Sequence, residues 1–147
     1  MMSRVSCLAL ACCLAFGCSN HDCALDDDLR LFAGDGALDC GTADATHARA
    51  DIDQCASDAF AAGTPFMARY RRTGVDSNVV NAVASNTDGK VKIFRWDSAP
   101  CGSNSCPPVT DEQSCDGPTV NMQTSDDPSA LPLNCDSLGS PERVCGG

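Results

Sequence analysis

The 147-residue chain is short of aromatic side chains, of basic side chains and of long apolar runs. It has five Phe, one Tyr and one Trp. A core this poor in rings needs covalent support, because a small domain buries too little apolar surface to rely on packing alone. Ten Lys and Arg stand against twenty Asp and Glu, for a net charge of −10. That balance excludes the broad basic surface of nucleic-acid binders. The main apolar run, from Val5 to Phe16, is 12 residues long, whereas a membrane-spanning helix needs roughly 20. Histidine occurs only at His21 and His47. There is no Gly-x-Ser-x-Gly elbow, no His-Glu-x-x-His and no Cys-x-x-Cys. A serine triad, a zincin site and a thioredoxin-like pair therefore have no carrier. No residue stands out as catalytic or metal-ligating, no cofactor is implied, and the chain is expected not to be an enzyme.

Cysteine is abundant instead, with twelve residues. Arg4, the apolar run and then Leu14-Ala15-Phe16-Gly17-Cys18 resemble the lipoprotein signal of bacteria, in which the cysteine becomes the acylated first residue. The box departs from the common pattern at Ala15, where Leu is usual. By this resemblance residues 1–17 are a signal peptide and Cys18 is the lipidation site. Ser19 in the following position implies the outer membrane. Cleavage after Ala9-Leu10-Ala11 is the alternative, and it yields a freely secreted protein. Parity favours the first cut. It leaves Cys23, Cys40, Cys55, Cys101, Cys106, Cys115, Cys135 and Cys145, an even set for four disulfides in an oxidising compartment. Three of these precede residue 98 and five follow it, so full pairing needs at least one bridge between the two regions. Cys40 with Cys55 is the choice within the first region, which leaves Cys23 to reach the tail.

The mature chain keeps twenty acids against nine basic residues, a net charge of about −11 that keeps it soluble. Residues 18–39 read as a lipid-anchored tether, with Asp26-Asp27-Asp28 as a solvated spacer. Three consecutive Asp do not give the alternating oxygen ligands of a calcium loop. Residues 40–97 read as the folded core. Ile52, Cys55, Ala56, Ala59 and Phe60 share one helical face. Asp51 is the expected N-cap, with Gln54 completing a capping box. Gly63 and Pro65 end that helix. From Pro65 the period becomes two. Phe66, Ala68 and Tyr70 point one way; Met67, Arg69 and Arg71 point the other. Val75 to Ser85 and Val91 to Trp96 read as two further strands, joined by the turn signal Asn86-Thr87-Asp88-Gly89.

The expected fold class is α+β: one helix packed on a small antiparallel β-meander, an order similar to the cystatin arrangement. The Gln-x-Val-x-Gly inhibitory loop of cystatins is absent; Arg72-Thr73-Gly74-Val75-Asp76 stands in its place. Residues 98–147 hold seven of the eight Pro and five Cys. They read as an irregular region stapled to the core by disulfides, with a short strand at 119–123.

Two groups of side chains stand out. Arg69, Arg71, Arg72, Lys90, Lys92 and Arg95 are confined to two strands. They read either as a solvated face that discourages aggregation or as an anion-binding face, with Arg69, Arg71, Lys92 and Arg95 as its candidates. Asp51, Asp53, Asp76, Asp88 and Asp97 fall at helix and strand ends, where acids complement the helix dipole or close turns.

Asp39-Cys40-Gly41, Cys55 and Ala59-Phe60, then Pro65-Phe66-x-Ala68-Arg69-Tyr70-x-x-x-Gly74-x-Asp76-Ser77 and Trp96-Asp97-Ser98-x-Pro100 resemble lipoproteins of a deltaproteobacterial, myxobacteria-like kind. The likeness covers residues 39–100. That group has no assigned activity, so the resemblance carries over no functional residue. The expected function is a cell-envelope binding module, held to the membrane by its N-terminal lipid, with an envelope protein or polyanion as partner and no nucleic acid. The alternatives are a secreted inhibitor or toxin-like module using a loop in the Cys101–Cys115 region, and a hydrolase using grouped carboxylates.

Overall fold

In the computed structural model the described residues are 23–44, 47–73, 76–103, 105–121 and 130–146. Cys18, His21 and the expected signal lie outside them. The fold is α+β, with a mixed seven-stranded sheet covered by a helix on each face. The first helix is α1 (Leu25–Ala33), followed by β1 (Leu38–Ala43), α2 (Arg49–Ala61), β2 (Phe66–Thr73), β3 (Asn78–Ser85) and β4 (Val91–Asp97). Then come β5 (Val109–Asp116), β6 (Thr119–Val120), β7 (Leu133–Asn134), β8 (Ser137–Leu138) and β9 (Glu142–Cys145).

The expected helix and meander are present as α2 with β2, β3 and β4. Phe66, Ala68 and Tyr70 pack with Ile52, Ala56 and Ala59 of α2 in one core cluster. Small alanines on both sides let the helix axis approach the sheet closely. Asn86 closes the β3–β4 hairpin through its side chain, which accepts from the backbone N–H groups of Asp88 and Lys90 at 3.1 and 3.0 Å. Asp51 does not cap α2: the helix begins at Arg49, Ala48 is its N-cap, and Asp51 sits in the first turn. Gln54 reaches forward to Asp58 at 2.8 Å and makes no capping box.

The tether reading of residues 18–39 needs correction from Cys23 onward. Asp26, Asp27 and Asp28 are not a solvated spacer; they form the first turn of α1. There they complement the helix dipole. Leu25, Leu29 and Ala33 are the buried stripe of α1, and they pack with Met67, Val80, Ala82, Ala84 and Phe94 on the second face of the sheet. Phe32 meets Phe94 with ring centroids 6.0 Å apart. The apolar positions at 25, 29 and 33 have helical spacing, and the acidic run between them hides it.

The meander also gains strands at both edges. β1 adds in parallel to β2, with α2 as the crossover that parallel pairing requires. The tail is more regular than expected, because β5 is a full strand paired antiparallel to β4. Its own outer edge is covered in two pieces, by β8 at Cys115–Asp116 and by β9 at Thr110–Glu112. Polar Asp-Glu-Gln-Ser in its middle masks it, but the unpaired edge of β4 supplies the hydrogen-bonding partner that fixes it as a strand. β6 and β7 pair as a separate ribbon.

All eight candidate cysteines are paired: Cys23–Cys145, Cys40–Cys55, Cys101–Cys106 and Cys115–Cys135. Cys40–Cys55 ties β1 to α2. Cys115–Cys135 holds the chain after β7 to the end of β5. Cys23–Cys145 joins the start of α1 to β9 across 122 positions. Among the described residues no helix is long and apolar enough to cross a membrane.

Candidate functional site

Strand pairing builds the site directly. On the α1 face of the sheet, Arg71 stands opposite Val80, and Val80 opposite Trp96. The next row along is Arg69, Ala82 and Phe94. α1 covers the second row and begins beside the first, so the Arg71–Val80–Trp96 row stays open at the helix start. A cleft of about 420 Å³ lies there, lined also by Cys23, Asp26, Asp39 and Arg69. That volume lies in the range of small-molecule sites.

Arg69 is the electrostatic pivot. It is buried to 7% exposure. Its Nε donates to Asp26 of α1 at 2.6 Å, and its Nη1 donates to Asp39 of β1 at 2.7 Å. A backbone irregularity aims Asp39 at it. The β1–β2 register shifts between Asp39 and Thr42, and Gly41 sits at φ +93°, a conformation that glycine alone adopts freely. Gly41 N–H donates back to the same Asp39 oxygen at 2.9 Å. Burial pushes the Asp39 carboxyl upward, but the hydrogen bonds from Arg69 and Gly41 and the charges of Arg69 and Arg30 outweigh it and hold the group below its ordinary value. For Arg69, burial acts downward and the two carboxylates outweigh it, so its pKa is raised.

Arg71 differs. It is exposed at the cleft, and no ion pair to it occurs among the described residues. Trp96, two strands away, is half-buried, and its indole N–H donates to the Cys23 carbonyl at 2.8 Å. Adjacent strands lie about 4.8 Å apart, so the guanidinium and the indole rise from backbones roughly 10 Å apart, with Val80 between them.

The four residues expected to form an anion-binding face do not form one. Arg69 lies under α1 and is consumed by two carboxylates. Lys92 pairs with Glu112. Arg95 belongs to the row of Tyr70, Asn81 and Asp111 on the α2 face, and pairs with Asp97 at 3.4 Å. Only Arg71 is left to meet an anion. Period-two alternation explains the dispersal, because 92 and 95 have opposite parity on one strand.

The grouped acids are also dispersed. Asp53 bonds Tyr70 on the α2 face, where Tyr70 Oη donates to it at 2.8 Å and Arg49 Nε at 3.1 Å. Arg49 also lies 5.2 Å from the Tyr70 ring centroid and donates to the Ala130 carbonyl. Asp97 accepts from Ala99 N–H at 3.0 Å, and Asp88 lies in the hairpin turn. His47 is bonded to Asp44 at 3.2 Å, away from the cleft. Sequence reading missed Asp26, Asp39 and Trp96. The parity that put Arg71 away from α2 was available for Trp96; the second helix, which makes that face a cleft, was not seen.

No protein-family profile, curated protein or solved structure matches the chain.

Proposed function

We propose that this chain is an exported, lipid-anchored cell-envelope protein that acts as a non-enzymatic binding module, and that its cleft takes a small carboxylate with an apolar body. The observation that carries the binding reading is the open row of Arg71, Val80 and Trp96. A cation without a counter-ion among the described residues, an apolar floor and a half-buried indole stand in line across three strands. An exposed guanidinium offers a fork for a carboxylate. Val80 and the indole offer the surface for the rest of the ligand.

The chemistry of the acids favours binding over hydrolysis. A general acid needs a raised pKa near the working pH. Asp39 is lowered, and both Asp26 and Asp39 are tied to Arg69. The lipid anchor rests on the segment before Cys18, and four disulfides agree with an oxidising compartment outside the cytoplasm. Ser19 after the cysteine favours the outer membrane, and no basic surface invites nucleic acid.

A second reading has one observation in its favour. Cys101–Cys106 closes a small loop whose Gly102, Ser103 and Ser105 are exposed, as an inhibitor loop would be. Its side chains are small and polar, without the bulky anchor that fills a protease pocket.

Equilibrium dialysis of the oxidised protein against octanoate, octylamine and octyl glucoside below their micelle concentrations tests the binding reading. Saturable uptake of octanoate near one per chain, with weak uptake of the other two, is expected. Equal uptake of all three would overturn it.

A further inference from the structure

The four bridges are not alike. Cys23 and Cys115 are buried, and Cys40 and Cys135 pack against the core on the α2 side. Cys23–Cys145, Cys40–Cys55 and Cys115–Cys135 therefore each keep at least one cysteine away from solvent, and each ties separate parts of the fold together. Cys101–Cys106 does neither. Both cysteines lie in the one connection between β4 and β5. Cys101 is exposed, and so are its small neighbours Gly102, Ser103 and Ser105. From Ser98 to Thr110 the chain carries no charged residue, so an incoming thiolate meets no like charge on this segment.

Opening this bridge leaves the fold held. The strand pair Asp97 and Val109 closes the β4–β5 ladder beneath it, and Ala99 and Val109 are buried at the two ends of the connection. Gly102 N–H donates to the Ala99 carbonyl at 2.9 Å, and Cys106 N–H donates to the Ser103 carbonyl at 3.3 Å. These contacts keep the two thiols close after reduction, so the bridge can reform. Its sequence separation of 5 is the shortest of the four, and the shortest loop adds least to stability in the chain-entropy model. The reduced sulfur also has partners. Ser103 Oγ lies 3.8 Å from Cys101 Sγ, and the Ser103 carbonyl lies 3.6 Å from it. Ser103 Oγ accepts from Ser105 N–H at 3.1 Å, which leaves its own proton to donate to a thiolate and favour that form. The carbonyl accepts from the thiol. Exposed bridges of this kind are the ones that exchange.

We propose that Cys101–Cys106 is a thiol–disulfide exchange site that oxidises the dithiol of a partner, while the other three bridges are structural. One thiolate of the partner attacks the exposed Cys101 Sγ. The Cys101–Cys106 bond breaks, and its electron pair leaves on Cys106, which takes a proton from water. The partner's second thiolate then attacks the partner's own sulfur in the mixed disulfide. Cys101 leaves as a thiolate held by the Ser103 hydroxyl. The partner loses two electrons and gains a disulfide, and Cys101 and Cys106 end as thiols.

The test uses the full oxidised chain and one equivalent of the reduced peptide acetyl-Cys-Gly-Gly-Cys-amide. Samples are acid-quenched over time, alkylated and mapped by peptide mass spectrometry. Cys101 and Cys106 are expected to be alkylated at least about tenfold faster than any other pair, because access controls exchange. The peptide is expected to turn into its disulfide in step with them, while circular dichroism and Trp96 fluorescence stay at their starting values. The double variant Cys101→Ser, Cys106→Ser is expected to keep those two signals and to lose the rapid oxidation of the peptide. Another bridge opening as fast as Cys101–Cys106 overturns the proposal, and so does a peptide that stays reduced. Rapid peptide oxidation that persists in the double variant overturns it as well. The wild-type map decides the matter even if the variant does not fold.

Discussion

Cys23 and Cys145 are covalently joined, with Cα atoms 5.5 Å apart at a sequence separation of 122. The bridge makes the start of α1 and the last strand one unit, and it stands beside Trp96, which bonds the Cys23 carbonyl. One crosslink thereby fixes both the edge of the cleft and the outer boundary of the sheet.

The four bridges should leave Cys23, Cys40, Cys55, Cys101, Cys106, Cys115, Cys135 and Cys145 without free thiols. Thiol counting on the unfolded, unreduced chain from residue 18 checks this, and two or more free thiols among the eight would contradict it. Cys40–Cys55 closes a loop of 15 positions, worth roughly 3 kcal/mol in the chain-entropy model. Reduction should therefore lower the melting temperature strongly.

Asp39 gives stability a defined acid limb. Its folded pKa lies below the ordinary 3.8, so its contribution is full above about that value and is lost as pH falls through the folded one. Both carboxylates that meet Arg69 are about half exposed, which keeps the effect to about 1 kcal/mol or less. Asp39→Asn should flatten the melting temperature between pH 4 and 2 relative to wild type. Arg69→Ala, which leaves two carboxylates and a void under α1, should cost about 2 kcal/mol. Denaturant titration measures it.

Tyr70 is the only tyrosine, so the rise in absorbance at 295 nm that marks phenol ionisation comes from it alone. Burial first, and then the adjacent Asp53 carboxylate, push its phenol well above the ordinary 10.0. The neutral phenol contributes stability that is full below 10 and lost as pH rises above it. Ionisation should therefore coincide with unfolding in alkali, in a single step seen by both absorbance and circular dichroism. A phenolate forming near pH 10 in the folded protein would contradict the Tyr70–Asp53 bond.

The anchor has a chemical signature. The N-terminal peptide of the exported protein should begin at Cys18 and carry acyl groups, as read by mass spectrometry. A mature terminus at Cys12, or an uncleaved Met1, would contradict it.

What was legible in the sequence follows from period and parity. Ile52, Ala56 and Ala59 have clean helical spacing, and Phe66, Ala68 and Tyr70 clean alternation, so α2 and its face of the sheet could be read. α1 was missed because Asp26, Asp27 and Asp28 look like solvent-exposed chain, while its buried stripe is only Leu25, Leu29 and Ala33. β5 was missed because strand pairing at an open edge overrides a polar sequence, as at Asp111 to Ser114. Without α1 there was no cleft to find, and Arg69 looked like a free cation when its guanidinium is enclosed by Asp26 and Asp39. Cys23, by contrast, was directed to the tail by parity, and its partner is Cys145.

The most direct test of the cleft uses neighbouring arginines with opposite fates. Arg71 lines the cleft beside Trp96, whereas exposed Arg72, one residue on, points to the other face. Trp96 is the only tryptophan, so its fluorescence during an octanoate titration reports the cleft itself. The account predicts a saturable change in emission in wild type and in Arg72→Glu, and at least about a tenfold loss of affinity in Arg71→Glu, as expected for removing a charged hydrogen-bond partner. An octanoate response equal in Arg71→Glu and Arg72→Glu would contradict it.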